Sequence, residues 1–97
     1  MTARATSPAA MRRRRVLLVG ADHVLRTTAL VAFDPIRYEL TIAMGPAVAK
    51  RLHDARAFDV VIVAPGVDDR ELDARVRVVS LAAQPDAAML RAIADGP

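Results

Sequence analysis

The sequence predicts an α/β domain: a short parallel sheet of about four strands, sandwiched in three layers with helices on both faces. Three observations predict it. The apolar runs Val16-Leu-Leu-Val-Gly20 and Val60-Val-Ile-Val-Ala64 are continuous and short, as in strands buried on both sides. The segments between such runs carry apolar residues at helical spacing instead. Finally, 54% of the 97 residues are hydrophobic but only 3% are aromatic, so the core must be built from Val, Leu, Ile and Ala. That length suits one domain with a modest core.

The elements follow in order. Residues 1–14 form a basic tail without usable periodicity, expected to be disordered. Within it, Met11 offers an alternative start. The domain proper spans residues 15–97 and begins with the strand Val16–Gly20. Asp22 can cap a helix running to about Phe33, with Leu25, Ala29, Ala32 and Phe33 on one side. Asp34-Pro35 ends it. Tyr38–Met44 has the β-branched and aromatic content of a second strand. Gly45-Pro46 then opens a helix, since proline at the first position gives up no hydrogen bond. Val48, Leu52 and Ala55 are its expected inner stripe, with Lys50, Arg51 and Asp54 facing water. Asp59–Val63 is the third strand and Pro65-Gly66 the turn after it. Asp68–Arg75 has room for two helical turns, and Val76–Leu81 reads as a fourth strand. Pro85-Asp86 starts a last helix in which Met89, Leu90 and Ile93 are expected inside, and Gly96-Pro97 stops it.

The net charge of +3 is unevenly distributed. Arg4 and Arg12 to Arg15 lie in or next to the tail, leaving nine cations against eleven carboxylates in the body. Arg12, Arg13, Arg14 and Arg15 are candidates for contact with a phosphate backbone. The alternative is a solvated run that keeps the start of the first strand in water. The absence of cysteine excludes disulfides, thiol nucleophiles and thiolate metal sites. Asp22 and His23 interrupt the apolar run after Arg15, too early for a signal peptide, and no stretch approaches a membrane span. The expected compartment is the cytoplasm.

Three pieces of the chain carry a family resemblance. Arg15-Val-Leu-Leu-Val-Gly-Ala-Asp-His-Val-Leu-Arg26 resembles the first strand and helix start of response-regulator receiver domains, commonly "VLLVDDE…LR". Tyr38-Glu-Leu-Thr-Ile-Ala-Met-Gly45 is similar to their second strand. Ala55-Arg-Ala-Phe-Asp-Val-Val-Ile-Val-Ala64 is similar to "FDLVLLD", whose final aspartate accepts the phosphoryl group. The three occur in order and at receiver spacing. Pro65-Gly66-Val67-Asp68 also resembles the family's "PGMDG" turn. Past that point two alignments remain open. In one, Val76–Pro85 and Met89–Ile93 match the receiver's end, a helix–strand–helix stretch is missing, and Gln84 stands where the family has lysine. In the other, Val76–Leu81 is the family's fourth strand and the chain is truncated.

The resemblance implies a receiver-like sheet order of 2-1-3 with the last strand beside the third. It also implies that the phosphorylation chemistry is lost. That chemistry needs a carboxylate nucleophile, Mg²⁺ held by it and an acidic pair, and a lysine. Here Ala64 takes the nucleophile's place, Gly20 and Ala21 the pair's, and Gln84 the lysine's. Asp22 is the one carboxylate left, and its residue type suits a helix cap. No cofactor, metal or enzymatic activity is expected.

The expectation for function is therefore a phosphorylation-independent pseudo-receiver, acting through protein contact in bacterial signalling or transcriptional regulation. Its partner would be another protein or itself. A missing helix pair would expose apolar surface, which favours a homodimer. Two alternatives belong to other classes. One is a nucleic-acid-associated regulator using the arginine run, with weak binding. The other is a Rossmann-like small-molecule or nucleotide-binding domain. Its glycine fingerprint finds Gly20 but then Asp22 and Leu25, and an aspartate there would repel a pyrophosphate. His23 and His53 lack partners at metal-ligand spacing.

Overall fold

The structure, a computed structural model, describes residues 13–70, 72 and 76–96. Four parallel strands, β1 (Arg14–Val19), β2 (Tyr38–Ala43), β3 (Val60–Val63) and β4 (Arg77–Ser80), form one sheet in the order β2-β1-β3-β4. Among the described residues, the helices α1 (His23–Ala32), α2 (Pro46–Ala55) and α3 (Ala87–Asp95) connect or follow them. Val16 lies between Leu40 of β2 and Val60 of β3, and Val60 lies beside Arg77 of β4. The expected α/β class and strand order are those observed.

The order of the strands decides which face each helix covers. The chain crosses one way from β1 to β2 and the other way from β2 to β3. Right-handed crossovers then put α1 and α2 on opposite faces. On one face Val16, Leu18, Val60 and Ile62 pack under Leu25, Ala29 and Phe33 of the α1 region and Leu90 and Ala94 of α3. On the other, Leu17, Val19, Val61 and Val63 pack with Ala49 of α2, Ala43 and Phe58. Each fully buried Val or Leu contributes roughly 1.5–3 kcal/mol.

Local chemistry places the helix ends. Asp22 Oδ1 accepts from the Leu25 N–H at 2.8 Å, and Asp86 Oδ1 from the Met89 N–H at 2.8 Å. Asp34 accepts from the N–H groups of Ile36 and Arg37, holding the turn that leads into β2. Asp59 Oδ2 accepts from the Arg15 N–H at 2.8 Å and so ties the start of β3 to β1.

Four expectations need correction. Ala55 is exposed, and the inner side of α2 is Val48, Ala49 and Leu52. Ala55 is the last helical residue, and the chain turns extended at Arg56. Met89 is also exposed; α3 buries Leu90 and Ala94, with Ile93 packed beside them, at the i, i+3, i+4 spacing. Residues 68–70 and 72 are not helical. There Asp68 accepts from the Arg70 N–H two residues on, a local bond that competes with a helix. Residues 71 and 73–75 lie outside the described residues.

The arginines, too, depart from the expected tail. β1 begins at Arg14, so Arg14, expected in the tail, belongs to the sheet together with Arg15. Arg14 donates from Nε to the Ala94 carbonyl at 2.7 Å and from Nη2 to the Gly96 carbonyl at 2.9 Å. Arg77 Nη1 donates to the Ile93 carbonyl, and the Tyr38 hydroxyl donates to Asp95 Oδ1 at 2.7 Å. Helix C-termini carry unsatisfied carbonyls and partial negative charge, so two guanidinium groups there satisfy both.

Arg14→Ala should lower the unfolding free energy by about 1–3 kcal/mol in urea titrations, with Arg14→Lys recovering only part because it lacks the guanidinium fork. An unchanged midpoint would contradict this anchoring of α3. Tyr38 is 2% exposed, and burial, then the bond to Asp95, raises its pKa above 10.0. The folded state thus holds the phenolic proton more tightly than the unfolded chain. That contribution is complete below pH 10 and is lost as pH rises through the folded value. Tyr38→Phe should flatten the alkaline fall in stability, and equal slopes in both proteins would refute the assignment.

Candidate functional site

The C-terminal ends of the strands are where α/β sheets usually bind ligands. Gly20 leaves β1 with φ +73°, and its N–H donates to the Ala43 carbonyl at 2.9 Å. The Ala64 N–H donates to the Val19 carbonyl at 3.0 Å, and the Leu81 N–H to the Val63 carbonyl at 2.9 Å. These bonds bring the ends of β1, β2, β3 and β4 level with one another.

A turn then closes over them. The Val67 N–H donates to the Ala64 carbonyl at 3.2 Å across Pro65 and Gly66, and Gly66 has φ +81°. Proline followed by a glycine at positive φ is the pattern of a type II turn. The turn delivers Val67 above Gly20. A Cβ on Gly20 would sit 2.6 Å from Val67 Cγ2, well inside contact distance. Val67 packs against the buried clusters of both faces, so it seals the end of the sheet.

The structure brings together the five site residues expected from the sequence. Gly20 and Ala64 flank the closed tip, and Ala21 packs partly buried against the core. Asp22 follows, with Oδ1 held by the Leu25 N–H and Oδ2 accepting from Gln84 Nε2 at 2.9 Å. The Asp22–Gln84 bond joins residues far apart in sequence and links the start of α1 to the loop before α3. It was not expected from the sequence, although both residues were singled out there. Beside them, Ser80 Oγ donates to Asp69 Oδ2 and links the end of β4 to the loop after Val67. Further out, Asp68 is held to about pKa 2, chiefly by the Arg70 guanidinium.

Chemically, this tip has little to offer a phosphoryl group or a cation. Positions 20, 21 and 64 present a hydrogen and two methyl groups. Both oxygens of Asp22 already accept hydrogen bonds. Among the described residues, no group of three or more His, Asp or Glu side chains could hold a metal ion. The residues present do not fit the Mg²⁺ site that the receiver resemblance would imply.

The arginine run lies at the opposite end of the sheet. Arg12 is outside the described residues. Arg13 donates to the Pro35 carbonyl at 3.2 Å and pairs with Glu39 at 3.3 Å. Arg15 pairs with the same carboxylate at 3.3 Å, and Arg14 holds α3. Near this end an open cavity of about 510 Å³ is lined by His53, Arg56, Phe58 and Val76. His53 stacks on Phe58 at 6.5 Å between ring centroids, a packing contact. No described helix is long and apolar enough to cross a membrane.

Val67 is the residue that sequence reasoning missed. Pro65-Gly66 signals a turn, but only the backbone path shows which side chain the turn places over Gly20. Gly20→Ala should therefore cost about 2–4 kcal/mol, combining positive φ with overpacking. Val67 Cβ is 3.5 Å from the added atom, an ordinary contact. In a Val67→Ala background the same substitution should cost only about 1 kcal/mol, the conformational part. Equal costs in both backgrounds, measured by denaturant titration, would contradict the closed tip.

Comparison of the chain with protein-family models, with curated proteins and with solved structures yields no match.

Proposed function

We propose that this chain is a phosphorylation-independent, receiver-like module that works by protein contact in bacterial signalling or gene regulation, in the cytoplasm. The observation that carries this reading is the strand tip. The positions equivalent to a receiver's acidic pair and phosphoacceptor hold Gly20, Ala21 and Ala64, with Val67 packed over Gly20. A nucleophile and a metal are both required for aspartyl phosphorylation, and this tip supplies neither. A switch whose chemistry is removed presents one surface constantly, so its output is binding rather than turnover.

The strand order, the three-layer arrangement and the position of Gln84 beside Asp22 support the resemblance on which the reading rests. The nucleic-acid alternative draws less support. Arg13, Arg14 and Arg15 are each bonded to carbonyls or to Glu39, which leaves them less available to a phosphate backbone.

Incubation with acetyl phosphate and Mg²⁺ should leave the intact mass unchanged. Ala64→Asp should remain unmodified as well, because no acidic pair would hold the metal beside the new carboxylate. Its carboxyl should instead titrate above the ordinary aspartate range, since Ala64 lies at the core boundary. A phosphorylated Asp22, Asp59 or Asp68 in the unaltered protein would overturn the proposal.

A further inference from the structure

β2 is an edge strand of the sheet, and no described strand pairs with its outer side. The carbonyls of Arg37 and Ala43 accept from β1. In a parallel pair alternate residues face the neighbour, so Glu39 and Thr41 also turn their backbone groups toward β1. Leu40 and Ile42 then turn theirs outward. Exposed edges are usually blunted by proline, a bulge, lysine or short length. β2 has six residues, Tyr-Glu-Leu-Thr-Ile-Ala, and carries none of these. Its one charge, Glu39, is paired with Arg13 and Arg15. β4 differs: it has four residues, and its ends are tied down through Arg77 and Ser80.

Apolar side chains surround the free edge. Leu40 and Ile42 are only partly buried on the α1 face. Leu30 of α1 is 66% exposed and lines one groove with both of them. Met44, just past the end of β2, is 80% exposed.

The geometry points to a homodimer formed by antiparallel pairing of β2 with β2 of a second copy, with Thr41 on the two-fold axis. One register uses the outward groups fully. It sets Leu40 opposite the second copy's Ile42, and each such pair exchanges both N–H···O=C bonds. Shifting the centre to Leu40 would bring in Tyr38, whose N–H is already given to the Asp34 carbonyl. With Thr41 at the centre, Leu40, Ile42 and Leu30 of both copies meet on the α1 face. Glu39 falls opposite Ala43, and the two Glu39 carboxylates stand roughly 13 Å apart, beyond a Debye length of about 8 Å. An edge strand matched to itself by a two-fold axis is what makes a second copy the fitting occupant. The inference rests on the reading of this chain as a contact module and gives that contact a surface.

The chain has no cysteine, which makes a cross-linking test clean. In this register Thr41 meets its counterpart as a non-hydrogen-bonded pair, with Cα atoms about 4.5 Å apart and within disulfide reach. Oxidised Thr41→Cys should run as a covalent dimer on a non-reducing gel, while Thr27→Cys on exposed α1 should not. Light scattering should find the unaltered protein dimeric. Ile42→Pro removes only an outward donor and should weaken dimerisation by roughly tenfold or more. Should Ile42→Pro fail to fold by circular dichroism, the cysteine pair decides. A monomeric protein, or Thr41→Cys that cross-links no better than Thr27→Cys, would overturn the inference. A dimer without Thr41 cross-linking would overturn it too, yet leave the contact-module reading intact.

Discussion

Every side chain from Val16 to Val19 and from Val60 to Val63 is fully buried, so neither face of the central strands is open to water. Among the described residues, three short helices provide that cover. An isolated helix of this length is marginal in water, and its order comes from packing and from its ends. This explains where the polar side chains went. Asp22 and Asp86 cap α1 and α3, and Arg14, Arg77 and Tyr38 grip the far end of α3. The same requirement accounts for Val67, which touches the cores of both faces and closes the end of the sheet between them.

The cover has a consequence for chemistry. Ligand sites in parallel sheets arise where loops diverge at the strand tips and leave a crevice. Here the turn after β3 folds inward, and the lack of a side chain at Gly20 lets it do so. Asp22, which could have faced a ligand, is held on one oxygen by its helix and on the other by Gln84. At this tip, packing engages Gly20 and capping engages Asp22. The large apolar side chains left exposed lie at the periphery: Val24, Leu30 and Val31 on α1, Ile36 and Met44 on either side of β2, and Met89 on α3.

Much of the fold was legible in the sequence because its signals are local. Four-residue apolar runs, Asp22 before a helix, Pro46 at a helix start and Pro65-Gly66 after a strand each act within a few residues. The strand order followed from the receiver resemblance together with the handedness of crossovers. The failures came where distant residues decide. Helical spacing allowed Ala55 and Met89 inside, but the placement of α2 and α3 on the sheet leaves both outside. The arginine run looked like one basic tail; partners at Glu39, Ala94 and Gly96 draw Arg13, Arg14 and Arg15 into the fold. At the candidate site, the receiver resemblance singled out positions 20, 21 and 64, and the sequence there shows no carboxylate. Neither could predict the Gln84–Asp22 bond or Val67 over Gly20, since both depend on how two loops meet.

Val67 closes the strand tip over Gly20, and positions 20, 21 and 64 offer no carboxylate to a cation. The most direct test is a Mg²⁺ titration of the isotopically labelled protein, followed through backbone and Gln84 side-chain amide resonances. Gly20, Ala21, Asp22, Ala64 and the Gln84 amide should show only the small, linear drift expected of ionic strength. A saturable shift focused on those residues, with the Gln84 amide released from Asp22, would contradict this closure.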